Sequence, residues 1–349
     1  MKSSPPRDVV APDVARLLTA LRRGIPDRVP NFEYLICKRN VSAILERPAP
    51  NSWGLSAADY VELVRRIGMD AIGGKLFLTR GQLLATVRAR TLIDRSALAE
   101  YLRDGTIAPS TIDTRQIDEY FSAISNTRIG VWVHLSAGLT MIYDAIGYER
   151  FCLLLYDDPG FIEELFDRVV DDNLALIDKL LEYDFSFFHV GDDLGHKSGL
   201  LVSPQFLKDS WMPRIRRTVA PIHERGIPVT FHCDGNITEA IPFIIDLGFC
   251  SLNPIEPYGM DAYDIKSRFG DSLCLVGNVD VAGALAFGSP EEVEMDVRAH
   301  LAGLAPGGGY VCATSHSVID DIPPENFMRM IETIHRYGRY RDDGSLLDP

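Results

Sequence analysis

Eight short runs rich in β-branched and aromatic residues recur along the chain, each followed by a longer stretch with helical periodicity. They are Pro30 to Ile36, Asp70 to Leu78, Ile129 to Leu135, Phe185 to Gly191, Pro228 to Cys233, Phe249 to Asn253, Leu273 to Asn278 and Gly309 to Thr314. Strands that alternate with helical segments make parallel βα units, because a parallel neighbour requires a crossover long enough to hold a helix. Eight of them predict an α/β fold of the (β/α)8 TIM barrel type rather than an open doubly wound sheet. The 349 residues exceed the usual domain size, yet such barrels enclose that length around one core, so a single domain over residues 1–349 is expected.

The intervening segments carry helix signals. Between Pro159 and Tyr183, residues Phe161, Leu165, Val169, Leu176 and Leu180 form an apolar stripe at roughly helical spacing. Ser203-Pro204 and Ser289-Pro290 place a capping hydroxyl before a first-turn proline, and Glu292 completes a capping-box pattern with Ser289. The stretch Thr79 to Asn126 is far longer than a normal connection and reads as an inserted helical excursion after the second strand, a candidate lid. Gly307-Gly308-Gly309 precedes its strand, so it reads as a turn at the face opposite the site rather than as a phosphate cradle.

Charge and cysteine usage narrow the function classes. A formal net charge of −14, with Lys and Arg dispersed, disfavours nucleic acid and anionic lipid as partners. The opening MKSSPPRDVV lacks an apolar signal core and no run reaches the length of a membrane span, so a cytoplasmic protein is expected. The six cysteines show no CxxC spacing, and four fall inside apolar strand-like runs, as buried free thiols would.

In parallel barrels, polar residues at the carboxyl ends of strands build the active site, since the strand interiors cannot hold unpaired polar groups. Those ends read Gly191-Asp192-Asp193, His232-Cys233-Asp234-Gly235-Asn236, Asn253-Pro254-Ile255-Glu256, Asn278-Val279-Asp280 and Thr314-Ser315-His316. Strand alternation sends His232 and Asp234 to one side and Cys233 to the other. With His316 they make a candidate catalytic trio, and a His2Asp metal set with an open position of the zinc kind; a hydrogen-bonded polar cluster without metal is the competing reading. Asp192 and Asp193 are candidate paired carboxylates at the substrate, one of which could instead cap the helix that follows. Glu33, alone in an apolar strand, is a substrate ligand or a hydrogen-bond partner, and Asn253, Glu256, Asn278 and Asp280 complete the candidate substrate-binding residues.

Together with Tyr143 in Thr140-Met141-Ile142-Tyr143, the stretch Gly191 to Pro204, His232 to Asn236, Leu252 to Pro257, Gly277 to Asp280, Ala305 to His316 and Asp27-Arg28-Val29-Pro30, these motifs resemble the uroporphyrinogen decarboxylase superfamily. The resemblance covers most of the chain after residue 130. It implies a (β/α)8 barrel and one of two activities: decarboxylation of a porphyrinogen, or zinc-dependent methyl transfer between corrinoid proteins and thiols or other acceptors. Tyr143 and His316 match site residues of the decarboxylase, which makes Tyr143 a further catalytic candidate. The arginine-bearing loop that holds the porphyrinogen carboxylates after the first strand, and the aspartate after the second, are replaced here by Tyr34 to Asn40 and Gly74 to Leu78.

The methyltransferase branch carries zinc on an H-x-C motif and a distant cysteine. His232 matches the first ligand, while Asp234 and His316 stand where thiolates would be. The expectation is therefore a methyltransferase acting on a small methylated substrate or acceptor, assisted by Zn2+, with the corrinoid carried by a separate protein and a homodimer as a candidate assembly. A porphyrinogen-type decarboxylase and a non-catalytic ligand-binding barrel are the alternatives.

Overall fold

The computed structural model describes residues 10–74, 95–96, 99, 103 and 112–347. Seven parallel strands form one sheet in the order β1 (Ala71–Gly74), β2 (Gly130–Ser136), β3 (Phe187–Gly191), β6 (Val229–His232), β7 (Ser251–Asn253), β8 (Cys274–Val279) and β9 (Tyr310–Thr314). Spatial order follows chain order, as successive βα units require. The small strands β4 (Gly195–His196) and β5 (Gly199–Leu200) make a separate antiparallel hairpin just beyond β3. Residues of the seven-stranded sheet are buried on both faces, with β2 and β3 buried throughout, which is why these runs are apolar rather than alternating. Trp132 pairs in register with Phe187, and their rings stack at 5.8 Å inside the sheet.

The expected strand Pro30 to Ile36 departs from that regularity. It meets β9 through one parallel bridge, Asn31 with Cys312, and a second bridge joins Ile36 to Val318. The reason lies in its backbone donors: Pro30 has no N–H, the Glu33 N–H donates to Met69 Sδ at 3.3 Å, and the Ile36 N–H donates to Ser52 Oγ at 3.0 Å. Side chains therefore take hydrogen bonds that a ladder would use. The sheet is nevertheless curled so far that this first segment reaches the last strand, a TIM-barrel-like arrangement.

Helices cover the sheet. Pro159–Leu180 starts from an Asp158 cap, and Pro290–Leu304 carries the complete Ser289/Glu292 capping box. Ser203 caps the turn Pro204–Phe206, which runs through a π-helical segment, Leu207–Trp211, into Met212–Glu224. None of the described helices is long and apolar enough to cross a membrane. Of the excursion expected over Thr79 to Asn126, the helix Arg115–Ile124 is described, packed through Ile117 and Tyr120; the lid reading falls on residues outside the described ones. Gly307, Gly308 and Gly309 all have positive φ, and a Cβ on Gly308 would stand 2.4 Å from the Gly24 carbonyl oxygen, so this run is a turn built for glycine. The six cysteines are free.

Candidate functional site

The carboxyl ends of β3, β6 and β7 converge. His232 closes β6, and register places it beside Gly191 and Asn253. Its Nδ1 lies 2.7 Å from Asn253 Oδ1. The Asn253 amide group donates to the Val276 carbonyl at 3.1 Å, which fixes its other end as the acceptor. Nδ1 of His232 therefore carries a proton, and in the neutral imidazole Nε2 keeps its lone pair for a ligand. Its ring stacks on Tyr34 at 5.2 Å, and His189 lies 5.5 Å away.

Asp193, His232 and Asp234 offer ligand atoms within 4.8 Å of one another. Asp234 Oδ1 is buried without a hydrogen-bond partner, and burial raises that carboxyl above its usual range, with the nearby Asp193 charge adding to the rise and His232 opposing it. The partnerless Asp234 oxygen and the neighbouring His232 imidazole thus offer electron-pair donors at one place. His316 Nε2 approaches Asp234 Oδ2 to 3.8 Å from a half-exposed position. The set that the fold brings together is thus completed by Asp193, not by His316. Cys233 points the other way, as alternation predicts: its sulfur accepts from the Leu194 N–H at 3.1 Å, and burial keeps the thiol neutral.

The remaining candidates take distinct places. Asp192 is buried and accepts the Leu139 and Thr140 N–H groups, at 3.1 and 2.7 Å, and the Trp211 Nε1–H at 2.9 Å. It caps the helix Leu139–Ile146, whose own cap position is Gly138. Burial raises its carboxyl to about 6 against the pull of those donors. Thr140 Oγ1 accepts the Asp193 N–H at 2.7 Å, and the Tyr143 hydroxyl donates to the Asp193 carbonyl at 3.1 Å, so Tyr143 braces the loop that carries Asp193. Glu256 accepts the Gly235 N–H at 2.7 Å, holding the turn after Asp234. Asn278 donates to the Ile255 carbonyl at 2.8 Å, and Asp280 accepts the Tyr258 hydroxyl at 3.0 Å on the rim. Glu33 is 1% exposed, and its carboxyl meets the N–H and hydroxyl of Thr314 on β9.

Sequence pattern alone does not single out the residues of the site's floor. Tyr34 and His189 lie against the His232 ring, and His134, paired in register with His189, contacts both of them. His189 Nδ1 lies 2.6 Å from Thr230 Oγ1, and burial drives this imidazole well below its ordinary value, so it is neutral. The available signal was a single histidine at inward parity in each of two otherwise apolar strands.

A curled parallel sheet with covering helices and a convergent polar cluster at its strand ends defines a protein of the TIM-barrel-like class. The family profile described as Uroporphyrinogen decarboxylase (URO-D) matches residues 117–337, well over half of the chain, and the chain belongs to that family. A uroporphyrinogen decarboxylase of Pseudoalteromonas atlantica is 26% identical over 194 residues, 54% of this chain and 52% of that one. Another, from Methylococcus capsulatus, is 26% identical over 192 residues, 54% and 53% of the two chains. The chain thus spans about half the length of these relatives. In structure it resembles a methyltransferase from Methanosarcina mazei, with a TM-score of 0.70 and 16% identity over 93% of this chain and 98% of that one, a likeness of fold.

Proposed function

We propose that this chain is a metal-assisted methyltransferase of the URO-D family, working on a closed barrel in which Pro30 to Ile36 is the eighth stave. The observation that carries the reading is the Asp193, His232 and Asp234 set. One imidazole with its tautomer fixed and two carboxylates suit zinc, and equally a harder divalent ion, although the thiolates of the resembling methyltransferases are replaced. The acidic rim, with Asp193, Asp234, Glu256 and Asp280 on neighbouring strand ends, opposes a substrate of many carboxylates and supports a small neutral or cationic one.

A bound divalent ion would acidify an acceptor hydroxyl or thiol, favouring its attack on a methyl group. The chain's residues would do the rest. His232 Nε2, Asp193 and Asp234 would hold the ion; Asn253 keeps the His232 proton on Nδ1; Thr140 and Tyr143 keep Asp193 in place. The half-exposed His316, 3.8 Å from Asp234, would take the proton that the acceptor gives up. The methyl donor or acceptor on the other side would be a corrinoid carried by a separate protein.

The relatives' names favour a second reading, a decarboxylase. The two separate in one experiment. Purified protein is assayed for bound zinc and manganese and then offered free methylcobalamin with a thiol acceptor, or uroporphyrinogen with a chelator present. Stoichiometric metal that is lost in His232→Ala and Asp193→Ala, together with demethylation of methylcobalamin, is expected. Turnover of uroporphyrinogen in chelator would overturn the proposal.

A further inference from the structure

Glu33 sits at the seam where the first segment meets the last strand, two residues beyond the Asn31–Cys312 bridge. Its surroundings pose a proton-counting problem. The Thr314 hydroxyl is in hydrogen-bond contact with both Glu33 Oε2 and the His316 carbonyl oxygen. A threonine hydroxyl has one proton, a carbonyl oxygen has none, and an ionised carboxylate only accepts. If Glu33 were ionised, one of the two oxygen pairs would face each other with no hydrogen between them. Glu33 Oε1 already accepts the Thr314 N–H at 3.3 Å, so the missing proton belongs on Oε2.

Burial points the same way. Glu33 is 1% exposed, and the groups acting on its carboxyl are the Thr314 N–H and hydroxyl. From the first segment's other neighbour comes Met69, whose sulfur accepts the Glu33 N–H. On β9 the ionisable group that feels Glu33 is Cys312, whose thiol burial keeps neutral. Neither supplies the positive charge that a buried carboxylate requires.

We propose that Glu33 is a positioning residue held as a neutral carboxylic acid: its Oε2–H donates to Thr314 Oγ1, which in turn donates to the His316 carbonyl oxygen. This three-member chain ties the first segment to the loop that carries His316 to the rim. It sets where the His316 imidazole stands relative to Asp234 without touching substrate itself. The chain is directional, because each hydroxyl proton has one acceptor. Glutamine, with an N–H2 donor in place of the O–H, keeps its direction, whereas alanine removes it. The proposal stands on the seam geometry and is independent of which reaction the site performs.

Infrared spectra of the full chain at neutral pH test it directly, as the difference between wild type and Glu33→Gln. The expected difference contains a protonated-carboxyl C=O band that gives way to carboxylate bands with a midpoint near 8. Thr314→Val, which removes the hydroxyl partner, should shift that band, and it serves if Glu33→Gln does not fold. In parallel, the NMR resonance of the His316 ring should stay near its wild-type position in Glu33→Gln and move in Glu33→Ala. A difference spectrum holding only carboxylate bands at neutral pH would overturn the proposal. So would a His316 resonance that moves equally in the glutamine and alanine variants.

Discussion

Asn253 accepts the Nδ1 proton of His232 at 2.7 Å while donating its own amide hydrogen to Val276 at 3.1 Å, so one side chain decides which nitrogen of the histidine faces the site. The consequence reaches the electron-pair donor set without Asn253 belonging to it.

Asn253→Ala should therefore weaken metal binding roughly 10- to 100-fold, the usual cost of losing a partner that orients a ligand histidine. Titration calorimetry with Zn2+ and Mn2+ checks it. His316→Ala should alter that affinity little, since Asp193 completes the set. Equal losses in the two variants would return His316 to the ligand set.

Asp192 holds three donors from two elements, the start of the helix Leu139–Ile146 and Trp211. Asp192→Ala leaves those N–H groups buried without acceptors, at a cost of about 2–4 kcal/mol. Urea denaturation would report the loss, and Trp211 emission should change in the native state. Unchanged emission would mean that the indole contact carries little.

The Glu33 carboxyl is pushed up to about 8 by burial, against an ordinary value of 4.5. The folded chain thus keeps a proton that the unfolded chain releases. This contribution to stability is full below about 4.5, declines as pH rises, and is gone above about 8. Asp70, raised to about 7, and Asp192, raised to about 6, slope the same way, so comparison with Glu33→Gln isolates the effect. Wild type should lose on the order of 2–4 kcal/mol relative to that variant between pH of about 5 and 8.5. Parallel stability curves for the two proteins would count against a neutral Glu33.

Gly235 follows Asp234 at φ +83°, and a Cβ there would stand 2.5 Å from the Gly195 carbonyl carbon of the β4–β5 hairpin. Gly235→Ala must move backbone against backbone. We expect it to displace Asp234 and to lower metal affinity at least tenfold, with a thermal midpoint down by several degrees. Retained affinity would show that the hairpin can yield.

The sequence by itself determined what is local and periodic. It set the alternation of βα units, the caps at Ser203 and Ser289, the glycine turn at 307–309, the common side that His232 and Asp234 share at the end of β6, and the opposite side for Cys233. Each follows from a dihedral preference or a repeat length that neighbouring residues express without help. Tertiary structure decided which strand ends come within reach of one another. Asp193 rather than His316 stands beside His232, Asn253 orients the imidazole, Asp192 caps a helix 53 residues away, and the Pro30 to Ile36 run meets β9 by a bridge instead of a ladder. Those outcomes depend on sheet curl and inter-strand register. A single chain's pattern encodes them only through the packing of all the strands at once, because shifting a neighbour by one residue turns its side chains to the other face.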